Sequence, residues 1–527
     1  MFWSRSGRTS IRAFRLSALQ SASTVLTHHH AQCTARNMRQ ICLQQSYTNS
    51  TSVRQTKYKT IKVTNEDDIE RLYPLLLSYI AEPAKANSLR EVIIDTYAWP
   101  SFYSCFYDED GPILLRKGGE VLERKRANRQ VDHDTHSSLE EHVLDLGLGD
   151  YLTDQLIEAL VWKKRHWMGH VSDNARDFDD HERKFAAAAV VILLSLCNSL
   201  STIHIADFPT LVGEYLLRNN YDQVKIPGLQ QLKTVEFIKT IPLDDRNYEN
   251  VDFLEYFRYF GRLPAMESLM MEGVTEYEIE GLVSPGTSNI KNIHLSHVDI
   301  SGSTLGMVIR APKALEEFKI VIGGLWQMEP GRFNIRPQTL GKSLLQHKHT
   351  LRVLELDISD FDYSEVNSWE DDALKELEQR GKKYYQLDKA SSSLTFWLKD
   401  VPDDRAYGST IGSLYDFTAL THLSISLSAL LGPSSEIQKP PFRLLDALPP
   451  NLKYLCLFGY VKGKNKEVDD HIEELVQHKR DRFPSLVEIQ GVDETVMGVS
   501  DTYAGDDQKD ERDLWKWPER NWEWIET

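Results

Sequence analysis

The segment "ALPPNLKYLCLFGY", residues 447–460, places leucines at positions 452, 455 and 457 directly after a pair of prolines. In an extended strand, side chains two positions apart point to the same face, so Leu455 and Leu457 share one side. Leu452 precedes the strand and is expected to pack inward from a turn. The spacing apolar-x-x-apolar-x-apolar therefore predicts one buried strand that follows a turn.

The same spacing recurs along most of the chain. The further copies are "LREVII" from Leu89, "LSTIHI" from Leu200, "LKTVEF" from Leu232, "MESLMM" from Met266, "IKNIHL" from Ile290, "LEEFKI" from Leu315, "LRVLEL" from Leu351, "LTHLSI" from Leu420 and a degraded "LVEIQG" from Leu486. From Leu200 the intervals are 32, 34, 24, 25, 36, 69, 32 and 34 residues. The interval of 69 suggests one further repeat around a charged insert.

Helical segments such as "TLGKSLLQHKHT" and "DHIEELVQHKRDRFPS" lie between the copies. Helix, turn and strand repeated at these periods predict an α/β fold, an irregular leucine-rich-repeat-like solenoid with an inner parallel sheet and outer helices. The strands are expected side by side around Val92, Ile203, Val235, Leu269, Ile293, Phe318, Leu354, Leu423, Leu455 and Ile489. Because three apolar residues in six arise easily, the alternative is an ordinary α/β domain with buried strands.

The chain divides into segments of different composition. Residues 64–80 read as a helix that Thr64 or Asn65 caps, with acids in its first turn. The expected organisation is a basic, disordered segment or transit peptide (1–53), a helix and first strand (54–106), a charged loop (107–138), the repeat region (139–491) with a charged insert (360–395), and an acidic tail (492–527). The four tryptophans of the tail, at 515, 517, 522 and 524, are interpreted as a cap on the open end of the repeat core, with a partner-docking segment as the alternative.

The charge is distributed unevenly. Residues 1–65 contain ten Lys and Arg and no acid, so the net charge of −17 for the whole chain leaves −27 for the rest. A body this acidic repels nucleic acid and anionic membranes and favours a basic protein partner. The five scattered cysteines fit a reducing compartment. The expected location is cytoplasmic or nuclear; the Arg- and Ser-rich N-terminus makes a mitochondrial location the alternative.

Three stretches resemble leucine-rich-repeat proteins of filamentous fungi, many of which are F-box-like: residues 54–95, 339–359 and 444–460. In that family the first kind of stretch follows an F-box, which docks a Skp-type linker of a cullin ubiquitin ligase. The F-box opens with Leu-Pro followed by Glu-Ile-Leu, and residues 1–53 contain no such pattern. The resemblance therefore implies the architecture and a possible substrate-recognition adaptor, and leaves attachment to a ubiquitin ligase unsupported.

Motifs for catalysis or cofactor binding are weak. "GKS" at 341–343 lacks the glycine that a phosphate loop needs five residues earlier, where Arg336 stands, and is interpreted as a helix start. "HHH" at 28–30 has no second cluster of metal ligands, and "DHDTH" at 132–136 lies in the charged loop, where such clusters arise by chance. No catalytic group, cofactor or metal is predicted, and the chain is expected not to be an enzyme.

The expected function is a non-enzymatic protein–protein interaction scaffold; the alternative is a mitochondrial matrix protein of unknown activity. In a solenoid, residues that alternate with the inward apolar ones line the concave sheet, where such proteins bind partners. Glu355 and Asp357 are expected to lie outside the core. The predicted partner-binding residues are His204, Glu236, Glu272, His294, Lys319, Glu355, Asp357, Ser424, Tyr454 and Phe458.

Overall fold

The computed structural model divides the chain into two compact units, Met1–Gln55 and Thr56–Thr527. The structure describes parts of the second unit: residues 57–96, 99, 129–170, 175–238, 248–277, 282–325, 335, 337–358, 409–432, 442–498, 520 and 522–527. The predicted N-terminal segment, most of the charged loop and the charged insert lie outside the described residues, as do "HHH" and the tryptophans at 515 and 517.

A 12-stranded sheet dominates the second unit, in the order β13-β12-β11-β10-β9-β8-β6-β4-β3-β2-β1-β14. Neighbouring strands are parallel except for β1 and β14, which pair antiparallel. A second, two-stranded parallel sheet joins β5 and β7. The strands are β1 (Tyr58–Val63), β2 (Glu91–Ile94), β3 (Thr202–Ile205), β4 (Thr234–Phe237), β5 (Glu249–Val251), β6 (Ser268–Glu272), β7 (Val274–Glu276), β8 (Asn292–Val298), β9 (Glu317–Ile322), β10 (Val353–Asp357), β11 (His422–Ser426), β12 (Tyr454–Phe458), β13 (Glu488–Gln490) and β14 (Ile525–Glu526).

The ten strands predicted from the repeated spacing lie side by side in the predicted order, which confirms the α/β class and the mainly parallel sheet. The interval of 69 residues suggested one further repeat between Leu351 and Leu420, and the additional strand that such a repeat would contribute to the sheet is not found among the described residues. Strands β10 and β11 pair directly, Leu354 with Leu423 and Leu356 with Ile425, so no other strand lies between them.

One face of the large sheet is apolar throughout. Its central row runs through eleven strands in register, and ten of its members are at most 1% exposed, the exception being Ile489 at the end of the row. Burial of aliphatic side chains on this scale is the main favourable contribution to folding. The row comprises Ile61, Val92, Ile203, Val235, Leu269, Ile293, Phe318, Leu354, Leu423, Leu455 and Ile489.

Twelve α-helices are found in the described part of the chain: α1 (Glu66–Ala81), α2 (Pro83–Ala86), α3 (His133–Asp145), α4 (Asp150–Trp167), α5 (Ala175–Leu196), α6 (Thr210–Asn220), α7 (Phe253–Phe260), α8 (Gly302–Arg310), α9 (Pro337–Leu344), α10 (Leu427–Leu431), α11 (Leu444–Ala447) and α12 (Lys466–Arg482). A 3₁₀ turn, Leu345–His347, extends α9. Within the described residues, none of the helices has both the length and the apolar character that crossing a bilayer requires.

Helix α1 begins as its sequence predicts. The Asn65 side chain accepts a hydrogen bond from the Asp68 backbone N–H, and Ile69, Leu72 and Leu76 are buried. Three other local predictions need correction. Helix α3 begins at His133, inside the span predicted as a loop. In α12, Ile472, Leu475 and Val476 recur at helical spacing, the pattern of one apolar face, but Val476 is 50% exposed.

The third correction concerns "GKS", which lies inside α9, not at its start. A Cβ at Gly341 would overlap the carbonyl oxygen of Ile411, so the position needs glycine for close packing of the helix. Gly341 and Ser343 are both buried, so these two residues belong to the packed core.

Candidate partner-binding face

The second face of the large sheet, here called the polar face, carries a row of residues that alternates with the apolar row. Six of the ten predicted partner-binding residues fall in this row, in register: His204, Glu236, His294, Lys319, Glu355 and Ser424. Glu272, Asp357 and Phe458 lie two positions later on their strands, and Tyr454 two positions earlier. Alternation therefore places all ten on one face.

Not all ten are accessible. His204 is 5% exposed, Asp357 4% and Tyr454 8%, so the expectation that Asp357 lies outside the core is wrong. A lysine in place of Asp357 would bring an ammonium group into a buried position, which is costly without a partner. The other seven are half-buried, as expected for a sheet face in contact with solvent.

The polar face is strongly acidic. Strand register places seven carboxylates and two lysines on it across the eleven parallel strands. These residues are Glu91, Glu236, Glu272, Glu317, Glu355, Asp357 and Glu488, with Lys62 and Lys319. Glu91 and Glu317 were missed from the sequence. Glu91 lies on β2, two positions before the residue that pairs with His204, and Glu317 lies two positions before Lys319 on β9. The same alternation would have identified both.

His204 lies between two carboxylates from neighbouring strands. Its Nε2 is 2.9 Å from Glu91 Oε1, and its Nδ1 is 2.9 Å from Glu236 Oε2. Burial alone would lower the pKa of His204, but the interactions with Glu236 and Glu91 outweigh it and the net shift of the pKa is upward. The imidazolium form of His204 is therefore favoured, and it links strands β2, β3 and β4.

The end of the acidic tail lies on this part of the polar face. The Arg520 guanidinium pairs with Glu236, and its second terminal nitrogen is 3.6 Å from Glu272 Oε2. The ring of Trp522 lies 4.6 Å from that of His204 between centroids, at 47°. Burial alone would raise the pKa of Glu236, but hydrogen bonding to His204 and the charge of Arg520 lower it. The tail thus neutralises part of the acidic face.

Beyond Trp522 the tail reaches the edge of the sheet. Trp524 Nε1 donates to Asp68 Oδ1 at 2.8 Å, its ring lies edge-on to Tyr58 at 5.2 Å, and the Arg71 guanidinium lies 3.9 Å above it. Strand β14 then pairs with β1. The tryptophans of the tail were predicted to cap the open end of the repeat core. In the structure, Trp524 and β14 cover the edge strand β1, whereas Trp522 lies on the polar face.

A second ionic cluster lies on the middle strands. Glu317 Oε1 accepts from His294 Nε2 at 2.9 Å and from Lys319 Nζ at 2.5 Å. The hydrogen bond with His294 is the largest cause that lowers the pKa of Glu317 to about 2, and Lys319 adds to it. Glu317 is therefore ionised at neutral pH, and two of the predicted residues are bound to it.

At the far end of the sheet the polar face is built differently. Tyr454 donates from its hydroxyl to Gln490 Oε1 at 2.8 Å. Cys456, which pairs in register with Gln490, is a free, buried thiol whose pKa burial raises to about 12. The thiol is therefore protonated at neutral pH and a poor nucleophile.

A buried ionic cluster away from the sheet has the composition of a metal site. One ligand atom each from Glu70, His166 and Glu182 lie within 4.8 Å of one another. Lys163, fully buried, places its Nζ 2.9 Å from Glu70 Oε2 and 2.6 Å from Glu182 Oε1. The ammonium group thus supplies the positive charge that a metal would supply, and the cluster joins α1, α4 and α5.

The side chains of "DHDTH", a grouping that the sequence analysis attributes to chance, also have structural roles. Asp132 caps α3, and His136 is buried, with Nδ1 2.9 Å from the Tyr73 hydroxyl and Nε2 2.9 Å from Glu140 Oε1. Both ring nitrogens of His136 therefore have protein partners. The Asp132 carboxylate also accepts a hydrogen bond from the Thr135 hydroxyl at 2.7 Å, so this carboxylate is held at the N-terminus of α3.

The tail contacts could not be found from the sequence. The only signal was the clustering of tryptophans at its end, which does not specify where they pack. Comparison with family models, with curated proteins and with solved structures gives no match to this chain.

Proposed function

We propose that this chain is a non-enzymatic protein-interaction scaffold of leucine-rich-repeat type, which binds a basic protein on the polar face of its large sheet. The observation that carries the proposal is the alternation across eleven parallel strands: one face is buried core, and the other carries two lysines and seven carboxylates, of which all but Asp357 are at least partly exposed. A basic partner complements this charge, and charge complementarity increases both specificity and the rate of association.

The strand order supports the repeat architecture. In doubly wound α/β domains the strand order reverses at a switch point, and the strands are buried on both faces. Here the strands of the large sheet follow chain order from β1 to β13, apart from β5 and β7, which form their own sheet. Their half-exposed polar residues alternate with buried ones. Sequential order and one solvated face are what stacked helix–strand repeats produce.

The length of the face indicates the kind of partner. Parallel strands lie about 4.8 Å apart, so eleven of them extend over roughly 50 Å. An extended segment or a whole basic domain fits such a surface better than a small molecule, which binds in an enclosed cavity. A role as substrate-recognition adaptor follows from the resemblance to F-box-like proteins, and we propose it for the sheet face without the ligase attachment.

We propose the cytoplasm or nucleus as the location, with mitochondria as the alternative. A reporter fused to the first forty residues distinguishes the two. Import of that reporter into mitochondria would support the matrix location, and a diffuse cytosolic or nuclear signal would support the adaptor.

The binding face is tested by reversing charge where side chains are accessible. Asp357 is unsuitable because it is buried, so we choose Glu355→Lys with Glu488→Lys. Binding of basic partners isolated with the wild-type chain should weaken about tenfold or more, and the wild-type interaction should weaken as salt rises. The matched control is Asp470→Lys with Glu473→Lys, which makes the same charge change on the exposed surface of α12. Equal loss in both double variants, or none in either, would contradict the proposal.

A further inference from the structure

The end of the chain binds the polar face as a short linear segment. Arg520, Trp522 and Trp524 stand at alternate positions, and in an extended segment alternate side chains project to the same side. Their partners follow one another across the sheet: Glu236 and Glu272 for the arginine, then His204, then Asp68 beside β1. Three consecutive contacts from eight residues resemble the way a partner peptide is held.

The chemistry of the first contact is selective. Glu236 and Glu272 come from adjacent strands and both face one guanidinium. Arginine offers a planar set of donors that can serve two carboxylates at once, whereas lysine offers one point of charge. Trp522 then places its ring against His204. A ligand with arginine followed two residues later by an aromatic ring satisfies both contacts.

The tail is held in a way that allows displacement. The Trp522 indole N–H is buried and has no hydrogen-bond partner in the part of the chain that the structure describes. An unsatisfied buried donor costs about 1–3 kcal/mol. Strand β14 has two residues, and Ile525 is 49% exposed. A ligand that satisfied the same charges without this cost would compete with the tail.

We propose, on the basis of the partner-binding face proposed above, that the Arg520–Thr527 segment occupies the binding site of a protein partner. The partner binds there through an extended segment with the pattern arginine–any–aromatic, and this segment displaces the tail. The tail then acts as a built-in competitor. Because the tail belongs to the same chain, its binding to the face is intramolecular, so it weakens the binding of any ligand that uses the same contacts.

The test uses the full chain and a labelled synthetic peptide of residues 519–527, ERNWEWIET. In the variant Arg520→Ala with Trp522→Ala and Trp524→Ala, the chain's own tail loses the three side-chain contacts described above. This released variant should bind the peptide about tenfold more tightly than the wild-type chain. A peptide with lysine in place of the arginine should bind several-fold more weakly, and one with glutamate should lose binding.

A charge exchange separates recognition from general loss of structure. In the released variant, Glu272→Arg should reverse the preference, so that the peptide with glutamate at the arginine position binds better than the original. Glu272 suits this change because its side chain is 26% exposed and Glu236, which holds His204, remains. A merely destabilised protein would bind neither peptide.

Equal peptide binding by the wild-type and released chains, or no binding by the released chain, would overturn this inference. Equal binding of the original peptide and the peptide with glutamate in place of the arginine would also overturn it, since the arginine would then not be recognised at this face. These outcomes leave the Glu355 and Glu488 test untouched, so the partner-binding face can stand when the competitor role fails, and the reverse.

Discussion

Arg520 pairs with Glu236 across 284 positions of the chain, and this contact places the C-terminal segment on the polar face of the fourth strand. The pairing completes a row of four contacting groups in which negative and positive charges alternate. The order is Glu91, His204, Glu236 and Arg520. Each positive group in it lies next to carboxylates that would otherwise repel one another. The tail and the imidazolium thus stabilise the same acidic end of the sheet.

The first prediction concerns the pH dependence of His204. Because its folded-state pKa is raised, its contribution to the free energy of unfolding is complete below the unfolded pKa of about 6.5 and is lost as pH rises through the folded pKa. The wild-type chain should therefore lose stability relative to His204→Gln as pH rises from about 6 towards 9. Urea unfolding of both chains over this range measures the difference.

The groups that face His204 are Glu91, Glu236 and, through Glu236, Arg520. Near pH 6 the substitution should cost about 1.5–3 kcal/mol, the range for hydrogen bonds to charged groups. A difference between the two chains that stays constant over the pH series would show that His204 is not protonated in the folded state.

The second prediction concerns the apolar row. Leu354 is fully buried in the central strand β10, and Leu354→Ala should lower the free energy of unfolding by about 2–5 kcal/mol, through lost transfer energy and the cavity left behind. Leu144→Ala removes the same atoms from a side chain that is 58% exposed on α3, and should change stability by less than about 0.5 kcal/mol. Chemical denaturation of both variants provides the comparison, and similar losses would contradict the assigned core.

The strands could be predicted because each repeat carries its own local signal. In "LRVLEL" the spacing of Leu351, Leu354 and Leu356 encodes both a strand and the face that it buries, and all three are fully buried. The same alternation assigned the polar face. It could not show that Asp357 is buried, since the exposure of a face residue depends on what other segments place above it.

The tail contacts and the Lys163 cluster could not be predicted from the sequence for a related reason. Arg520 meets Glu236, and Lys163 meets Glu70, through folding of distant segments, and neither pair has a characteristic spacing. Likewise, the interval of 69 residues between two copies measured chain length, whereas β10 and β11 are direct neighbours in the sheet. Local patterns determined elements, and long-range charge pairs required the three-dimensional arrangement.

The third prediction concerns the buried lysine. Lys163→Met leaves Glu70 and Glu182 without their shared cation and should destabilise the fold by about 3–5 kcal/mol. The control Lys184→Met removes a lysine whose side chain is 63% exposed beside Asp180, and should cost at most about 1 kcal/mol. Thermal or urea unfolding measures both.

A second substitution identifies the cause of that loss. Adding Glu182→Gln to Lys163→Met removes one of the two uncompensated charges and should recover part of the stability. If the double variant were no more stable than Lys163→Met, lost packing of the lysine stem would be responsible and the charge argument would be wrong.

The last prediction compares two glycines with the same backbone conformation. Gly491 and Gly463 both have φ +84°, a region that costs a residue with a Cβ about 1–2 kcal/mol. A Cβ at Gly463 would meet nothing within 4 Å, whereas one at Gly491 would overlap the carbonyl oxygen of Leu457 in β12. Gly463→Ala should therefore show the conformational cost alone, and Gly491→Ala should be destabilised by about 1–3 kcal/mol more, because β13 must shift away from β12. Urea unfolding of the two variants measures the excess, and equal losses would mean that the last strand does not lie against β12 as described.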